Sequence, residues 1–421
     1  MKNILLIFCV LFAVKQGYSQ FDITIKTTAK LQEQKVFVYS FEGSKEMFLT
    51  SAERKGNEWE IKVPERYIGA MKLYFPTVKK NVRMISENQP IEIFIHNEAG
   101  EFSKVEFKDT SNRLFNEFQL LSTRKKQTLP YLEELLKQYQ PEDEFYQSLK
   151  KERDYLSKGM SFGKVEHPYL YYYQEVLPYA TDSSFLLSDL MRFFATPDGR
   201  FENSGLVRPI VSNFMNKISK SNPVKDIDDM LELADVNSNR GQVILAELLS
   251  IFHLYQLDDL KHHYLQKAAA MSCSNQLLEQ TVSGLKKVEI GAKFPNYTFT
   301  NNALNAKVKS IAEIKADRKL VFFWSTTCSH CMTELPVIVE NYNKLKTKGI
   351  EVIGIALEDE KANFHNVAQS LPWISDSEIK GWKAESVQIF SISATPTFFL
   401  LDENNTIIRT TNSFIEFLDT I

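Results

Sequence analysis

Leu320-Val321-Phe322-Phe323-Trp324 is an unbroken apolar run, and four residues beyond it the chain reads Cys328-Ser329-His330-Cys331. Such a run between polar residues fits a strand buried on both faces, which requires a sheet covered on two sides. The run therefore calls for an α/β layer and places the cysteine pair where the strand turns into a helix. The downstream pattern agrees: helix over 332–346, strand over 351–356, helices over 361–370 and 382–390, then strands over 397–401 and 406–409. Preceded by the entry turn Gly291-Ala292-Lys293-Phe294-Pro295, this alternation predicts an α/β domain over 288–421. It should have a central parallel pair and an antiparallel edge.

The cysteine pair has a chemical reason to sit at such a junction. Unpaired N–H groups and the dipole at a helix N-terminus favour a thiolate at Cys328, and Cys331 lies one turn on, close enough to close a disulfide. Cys328 is then the attacking sulfur and Cys331 the resolving one, acting through a mixed disulfide. His330, if cationic or donating a hydrogen bond, stabilises the Cys328 thiolate further. Glu334 shares the helix face of Cys331 and is a candidate general base for that thiol. The competing reading is a first-turn carboxylate that complements the helix dipole. Pro336 should kink the helix. Zinc would want a second Cys/His pair, and a purely structural disulfide gains little by closing so short a loop.

Four cysteines in 421 residues exclude a disulfide framework. Cys9 lies in the apolar run 4–14, after Lys2 and before a polar stretch containing Gly17 and Ser19. That order matches a cleavable signal peptide over 1–19, too short for a bilayer span, which needs about 20 apolar residues. No later segment is apolar enough to anchor the chain, so an exported protein without a transmembrane anchor is expected. Cys273 is expected to be a buried small hydrophobe, the alternative being an exposed thiol. With 50 Lys and Arg against 53 Asp and Glu, the net charge is −3, leaving no basic excess for nucleic acid.

Upstream, apolar residues alternate with period two at Phe21, Ile23, Ile25, at Trp59, Ile61, Val63, at Met71, Leu73, Phe75 and at Ile91, Ile93, Ile95. This predicts an antiparallel, β-sandwich-like domain over 20–108, suited to binding, docking or spacing. Over 109–287 the period becomes helical, as in Leu114, Phe115, Phe118, Leu121 and in Ile244, Leu245, Leu248, Leu249, Phe252, so a helical middle domain is expected. Pro130, Pro141, Pro168, Pro178, Pro197 and Pro223 read as helix-stop signals. Tyr169, Tyr171, Tyr172, Tyr173 and Tyr179 read as packing more than as a peptide groove. His253, His262 and His263 with Asp258 and Asp259 lack a metal-ligand spacing and read as a polar helix.

The motif Val321 to Cys331, Pro336 five residues past the second cysteine, and Thr395-Pro396-Thr397-Phe398 followed by Asp402 resemble the thioredoxin superfamily. More narrowly, with Ile290 to Pro295 and Glu334, they resemble its exported TlpA/ResA-like thiol–disulfide oxidoreductases. The upstream arrangement is similar to that of exported Bacteroidetes proteins. The resemblance implies that Glu334 assists thiol chemistry and that Pro396 is a cis-proline facing the cysteines. It also implies that Trp324, Thr395 and Pro396 meet the substrate, with the Thr395 backbone pairing to a bound strand. Thioredoxins proper carry a buried Asp where this chain has Phe322 and a Trp where it has Thr327. A His before the second cysteine is similar to oxidising DsbA-type enzymes.

The expected function is thiol–disulfide exchange in the periplasm with cysteine-containing exported proteins and a thiol or disulfide electron partner, without metal or organic cofactor. Reductase, oxidase and isomerase directions stay open. The alternative is a periplasmic or surface binding protein whose thioredoxin-like unit is a subordinate redox switch. A peroxidase is a third possibility that fits the paired cysteines less well.

Overall fold

The computed structural model describes residues 21–28, 31–98, 101–196 and 198–418; the expected signal segment 1–19 with Cys9, and Pro197, lie outside the described residues. Two compact units divide the chain after Ile218.

The described residues of the first unit begin with eight strands: β1 (Phe21–Thr27), β2 (Lys35–Glu42), β3 (Lys45–Glu53), β4 (Glu58–Val63), β5 (Ile68–Phe75), β6 (Lys80–Glu87), β7 (Ile91–Glu98) and β8 (Glu101–Phe107). They form two four-stranded sheets in the orders β4-β1-β7-β8 and β3-β2-β5-β6. Pairing is antiparallel except between β1 and β7. Because side chains alternate across a strand, β1 turns Phe21, Ile23 and Ile25 inward. There Ile23, Trp59 and Ile93 of one sheet share a core with Val38, Leu73 and Met84 of the other. Among the described residues, the helices of this unit are α1 (Thr110–Leu136), α2 (Glu144–Lys158), α3 (Pro168–Thr181), α4 (Leu187–Phe194) and α5 (Val207–Met215). Asp109 caps α1 by accepting from Asn112 N at 2.8 Å. The buried Asn112 side chain accepts from Ile85 N at 2.7 Å and donates to Ile85 O at 3.0 Å, which satisfies backbone groups of the edge strand β6. Tyr169, Tyr172 and Tyr173 are packed inside this unit.

The second unit starts with α6 (Pro223–Leu233), α7 (Asn239–Leu254), α8 (Asp258–Ala269) and α9 (Gln276–Lys286). An α/β layer follows: β9 (Arg318–Trp324), α10 (Ser329–Thr347), β10 (Ile350–Ala356), α11 (Lys361–Ala368), β11 (Ile374–Asp376), α12 (Glu385–Ile389), β12 (Thr397–Asp402), β13 (Ile407–Thr411) and α13 (Phe414–Leu418). The sheet order is β11-β10-β9-β12-β13, with β9, β10 and β11 parallel and β12 and β13 antiparallel. Successive residues of β9 enter different cores, Leu320, Phe322 and Trp324 on one face and Val321 and Phe323 on the other.

Several expectations change. The helical stretch expected as one domain over 109–287 is divided at Ile218, because α1 docks on β6 while α7 packs with the α/β layer, its His253 donating to Ser391 O at 3.0 Å. Prolines expected to stop helices do other things. Pro168 and Pro223 begin helices, where no N–H is missed, and α1 and α3 run through Pro130 and Pro178. The helix expected over 382–390 is a single tight turn, Gly381–Lys383, followed by the short α12. Pro336, where a kink is expected, lies inside α10.

Candidate active site

Strand β9 ends at Trp324, and Ser325-Thr326-Thr327 carries the chain to Cys328, the N-cap of α10. The side chain of an N-cap residue normally accepts a backbone N–H of the first turn; here the sulfur does so, Cys331 N donating to Cys328 Sγ at 3.2 Å. That sulfur therefore stands at the N-terminal end of a 19-residue helix. Cys328 is half-buried and Cys331 is buried, and both are thiols. Burial pushes the Cys331 thiol up to about 12, and the neighbouring Cys328 sulfur adds to the rise. One cysteine is therefore open to a partner, and the other is held protonated behind it.

The second wall is Thr395-Pro396, joined by a cis peptide bond ahead of β12. The Cys328 thiol donates to Thr395 O at 3.1 Å, and the loop is held from behind by Thr397 Oγ1, which donates to Ala394 O at 2.8 Å. Cys328, Cys331 and Thr395 are thus brought together as expected from the sequence.

The other expected residues fall elsewhere. His330 is exposed in the first turn of α10. Glu334 is half-buried, and its carboxylate accepts from Ser413 Oγ at 3.0 Å and from Phe414 N at 3.1 Å, capping α13. Trp324, expected to meet substrate, is fully buried in the core with Cys331 and Phe398, because a strand covered on both faces offers no side chain outward. Cys273, expected to be buried, is exposed, since its segment between α8 and α9 is held through its backbone, with Gln242 Nε2 donating to Cys273 O. Among the described residues, no three His, Cys, Asp or Glu side chains are grouped so as to hold a metal ion.

Glu358 was not anticipated. It stands at the C-terminal end of β10, beside the C-terminal end of β9, and its buried carboxylate accepts from Ser325 Oγ, Thr326 N and Thr326 Oγ1. The available signal was its position: side chains just past parallel strands converge on the crevice where α/β sheets do their chemistry.

Residues 290–410 match the AhpC/TSA family. The thiol–disulfide oxidoreductase ResA of Bacillus cereus is 28% identical over 125 residues, 30% of this chain and 70% of that protein. ResA of Bacillus subtilis is 22% identical over 131 residues, covering 30% of this chain and 69% of its own. The crystal structure of a thioredoxin-like protein from Bacteroides caccae, 17% identical, covers 56% of this chain and 74% of its own with a TM-score of 0.32.

Proposed function

We propose that this chain, a thiol–disulfide oxidoreductase whose redox segment is similar to ResA, works outside the cytoplasm and exchanges electrons with cysteines of other exported proteins through Cys328 and Cys331. The observation that carries the reading is the placement of Cys328 Sγ at the N-cap of α10, with Cys331 buried one turn behind and Thr395 O beside it. In the reducing direction, the Cys328 thiolate attacks one sulfur of a substrate disulfide, and the other substrate sulfur leaves as a thiol. Cys331 then gives up its proton and attacks Cys328 Sγ, releasing the second substrate thiol and leaving the Cys328–Cys331 disulfide. Two electrons have passed to the substrate, and the reverse sequence oxidises a dithiol. Glu334, one helical turn past Cys331, is the proposed acceptor of the Cys331 proton. His330 is the proposed tuner of the Cys328 thiolate, and the Thr395-Pro396 backbone the proposed contact for an extended substrate segment.

Export is proposed from the sequence of residues 1–19, where Lys2 precedes the apolar run 4–14 and a short polar stretch follows it. Sequencing the N-terminus of the protein recovered from a periplasmic fraction tests it; an intact Met1 in a cytoplasmic fraction would count against it. For the chemistry, the full chain carrying Cys331→Ser is expected to accumulate mixed disulfides on Cys328 when mixed with a disulfide-bonded protein, whereas Cys328→Ser accumulates none. Equal behaviour of the two variants would defeat the proposal.

A further inference from the structure

Glu358 is 2% exposed, and a carboxylate in such a place is held there by its donors. One oxygen accepts from Ser325 Oγ at 3.0 Å and from Thr326 N at 2.5 Å, and the other from Thr326 Oγ1 at 2.9 Å. All three donors belong to the two residues that open the turn into the redox centre. Ser325 carries the restraint onward: its carbonyl accepts from Cys328 N at 3.2 Å, and its hydroxyl accepts from Thr327 N at 3.2 Å. The Ser325 and Thr327 hydroxyls are 2.9 Å apart. Since a hydroxyl has one hydrogen to donate, and that of Ser325 goes to the carboxylate, Thr327 Oγ1 is the donor to Ser325 Oγ. The hydrogen bonds thus run in one direction from Thr327 through Ser325 to Glu358. On its other side, Glu358 is fixed by its own backbone, whose carbonyl accepts from Gly381 N at 2.9 Å.

We propose that Glu358 is a positioning residue of the redox centre, its carboxylate anchoring the turn from Ser325 to Thr327 and so holding Cys328 Sγ at the N-cap of α10. The inference rests on the exchange reading for Cys328 and Cys331. In the dithiol, the anchored sulfur accepts the Cys331 N–H, an interaction that favours the reduced form. The Ser325 backbone, held by the same anchor, hydrogen-bonds the Cys331 thiol and draws its pKa down against the effect of burial. Loosening the turn removes stabilisation from the reduced form and moves the pair toward its disulfide.

The test equilibrates the full chain with glutathione. The Cys328 and Cys331 thiols give two electrons and two protons to one oxidised glutathione, forming the Cys328–Cys331 bond and two glutathione thiols. The Glu358→Ala variant is expected to shift this equilibrium toward the protein disulfide roughly fivefold, the size of a lost N-cap interaction. Glu358→Gln keeps an amide oxygen for Ser325 Oγ and Thr326 N and an NH₂ for Thr326 Oγ1, and it is expected to restore the wild-type equilibrium. Ser325→Ala leaves Glu358 in place but removes the hydroxyl that joins its carboxylate to Thr327, and it is expected to shift the equilibrium in the same direction as Glu358→Ala, which keeps the test decisive if Glu358→Ala does not fold. Wild-type exchange combined with unchanged equilibria in Ser325→Ala and in folded Glu358→Ala overturns this inference alone. A wild-type chain that forms no Cys328–Cys331 disulfide overturns the exchange reading and this inference with it.

Discussion

Cys331 is held near pKa 12 by burial and by the adjacent Cys328 sulfur, whereas an unfolded cysteine titrates near about 8.5. The folded chain therefore binds this proton more tightly than the unfolded chain does. The resulting stability is fully present below about pH 8.5 and is lost as pH rises toward 12. With the protein reduced, the difference in urea midpoint between wild type and Cys331→Ser should change across that window, in the sense that the wild type loses more stability as pH rises. A difference that stays constant from neutral pH to pH 11 would show that burial does not raise this thiol. Exposure also orders reactivity: at neutral pH, iodoacetamide followed by peptide mapping should find Cys328 and Cys273 labelled ahead of Cys331.

At the scale of elements, α1 depends on Asn112, which supplies a donor and an acceptor to Ile85 of the edge strand. Asn112→Ala leaves both Ile85 groups buried and unpaired, and urea unfolding should show a loss of about 2 kcal/mol; an unchanged midpoint would mean that the edge is satisfied in another way. The strands that could be read in advance are those whose burial is written as apolar residues: β9, β10 and β12 are nearly continuous runs, and β1, β4, β5 and β7 alternate. Strand β11 could not be read this way. It has three residues, and its buried Asp376 is satisfied by Tyr297 and Thr300, which lie more than 70 positions away in the chain. Glu358 escaped notice for the same reason, since its partners Ser325 and Thr326 lie 32 or more positions away and a carboxylate's burial cannot be seen in its own neighbourhood. Trp324 misled because a strand buried on both faces carries no alternation to say which side chain reaches the surface. Cys328 and Cys331 were legible because their spacing and their place after a strand are local, whereas Thr395-Pro396, 67 positions from Cys328, was assigned to the site through the family resemblance.

For the whole molecule, the division after Ile218 makes α6 to α9 part of the redox unit. In that unit His253 holds Ser391 O, and Gly284 approaches Ser391 so closely that a Cβ there would come within 2.9 Å of its hydroxyl oxygen. A chain of residues 219–421 is expected to fold and to exchange disulfides, whereas residues 288–421 alone should unfold at lower urea; equal midpoints would contradict the division. The redox chemistry itself is tested most directly by titrating the full chain against a graded glutathione buffer, alkylating the free thiols and mapping the disulfide by mass. The expected result is one two-electron transition in which Cys328 and Cys331 become joined while Cys273 stays alkylated. A chain whose Cys328 and Cys331 remain free across the whole range, or whose disulfide includes Cys273, would contradict the account.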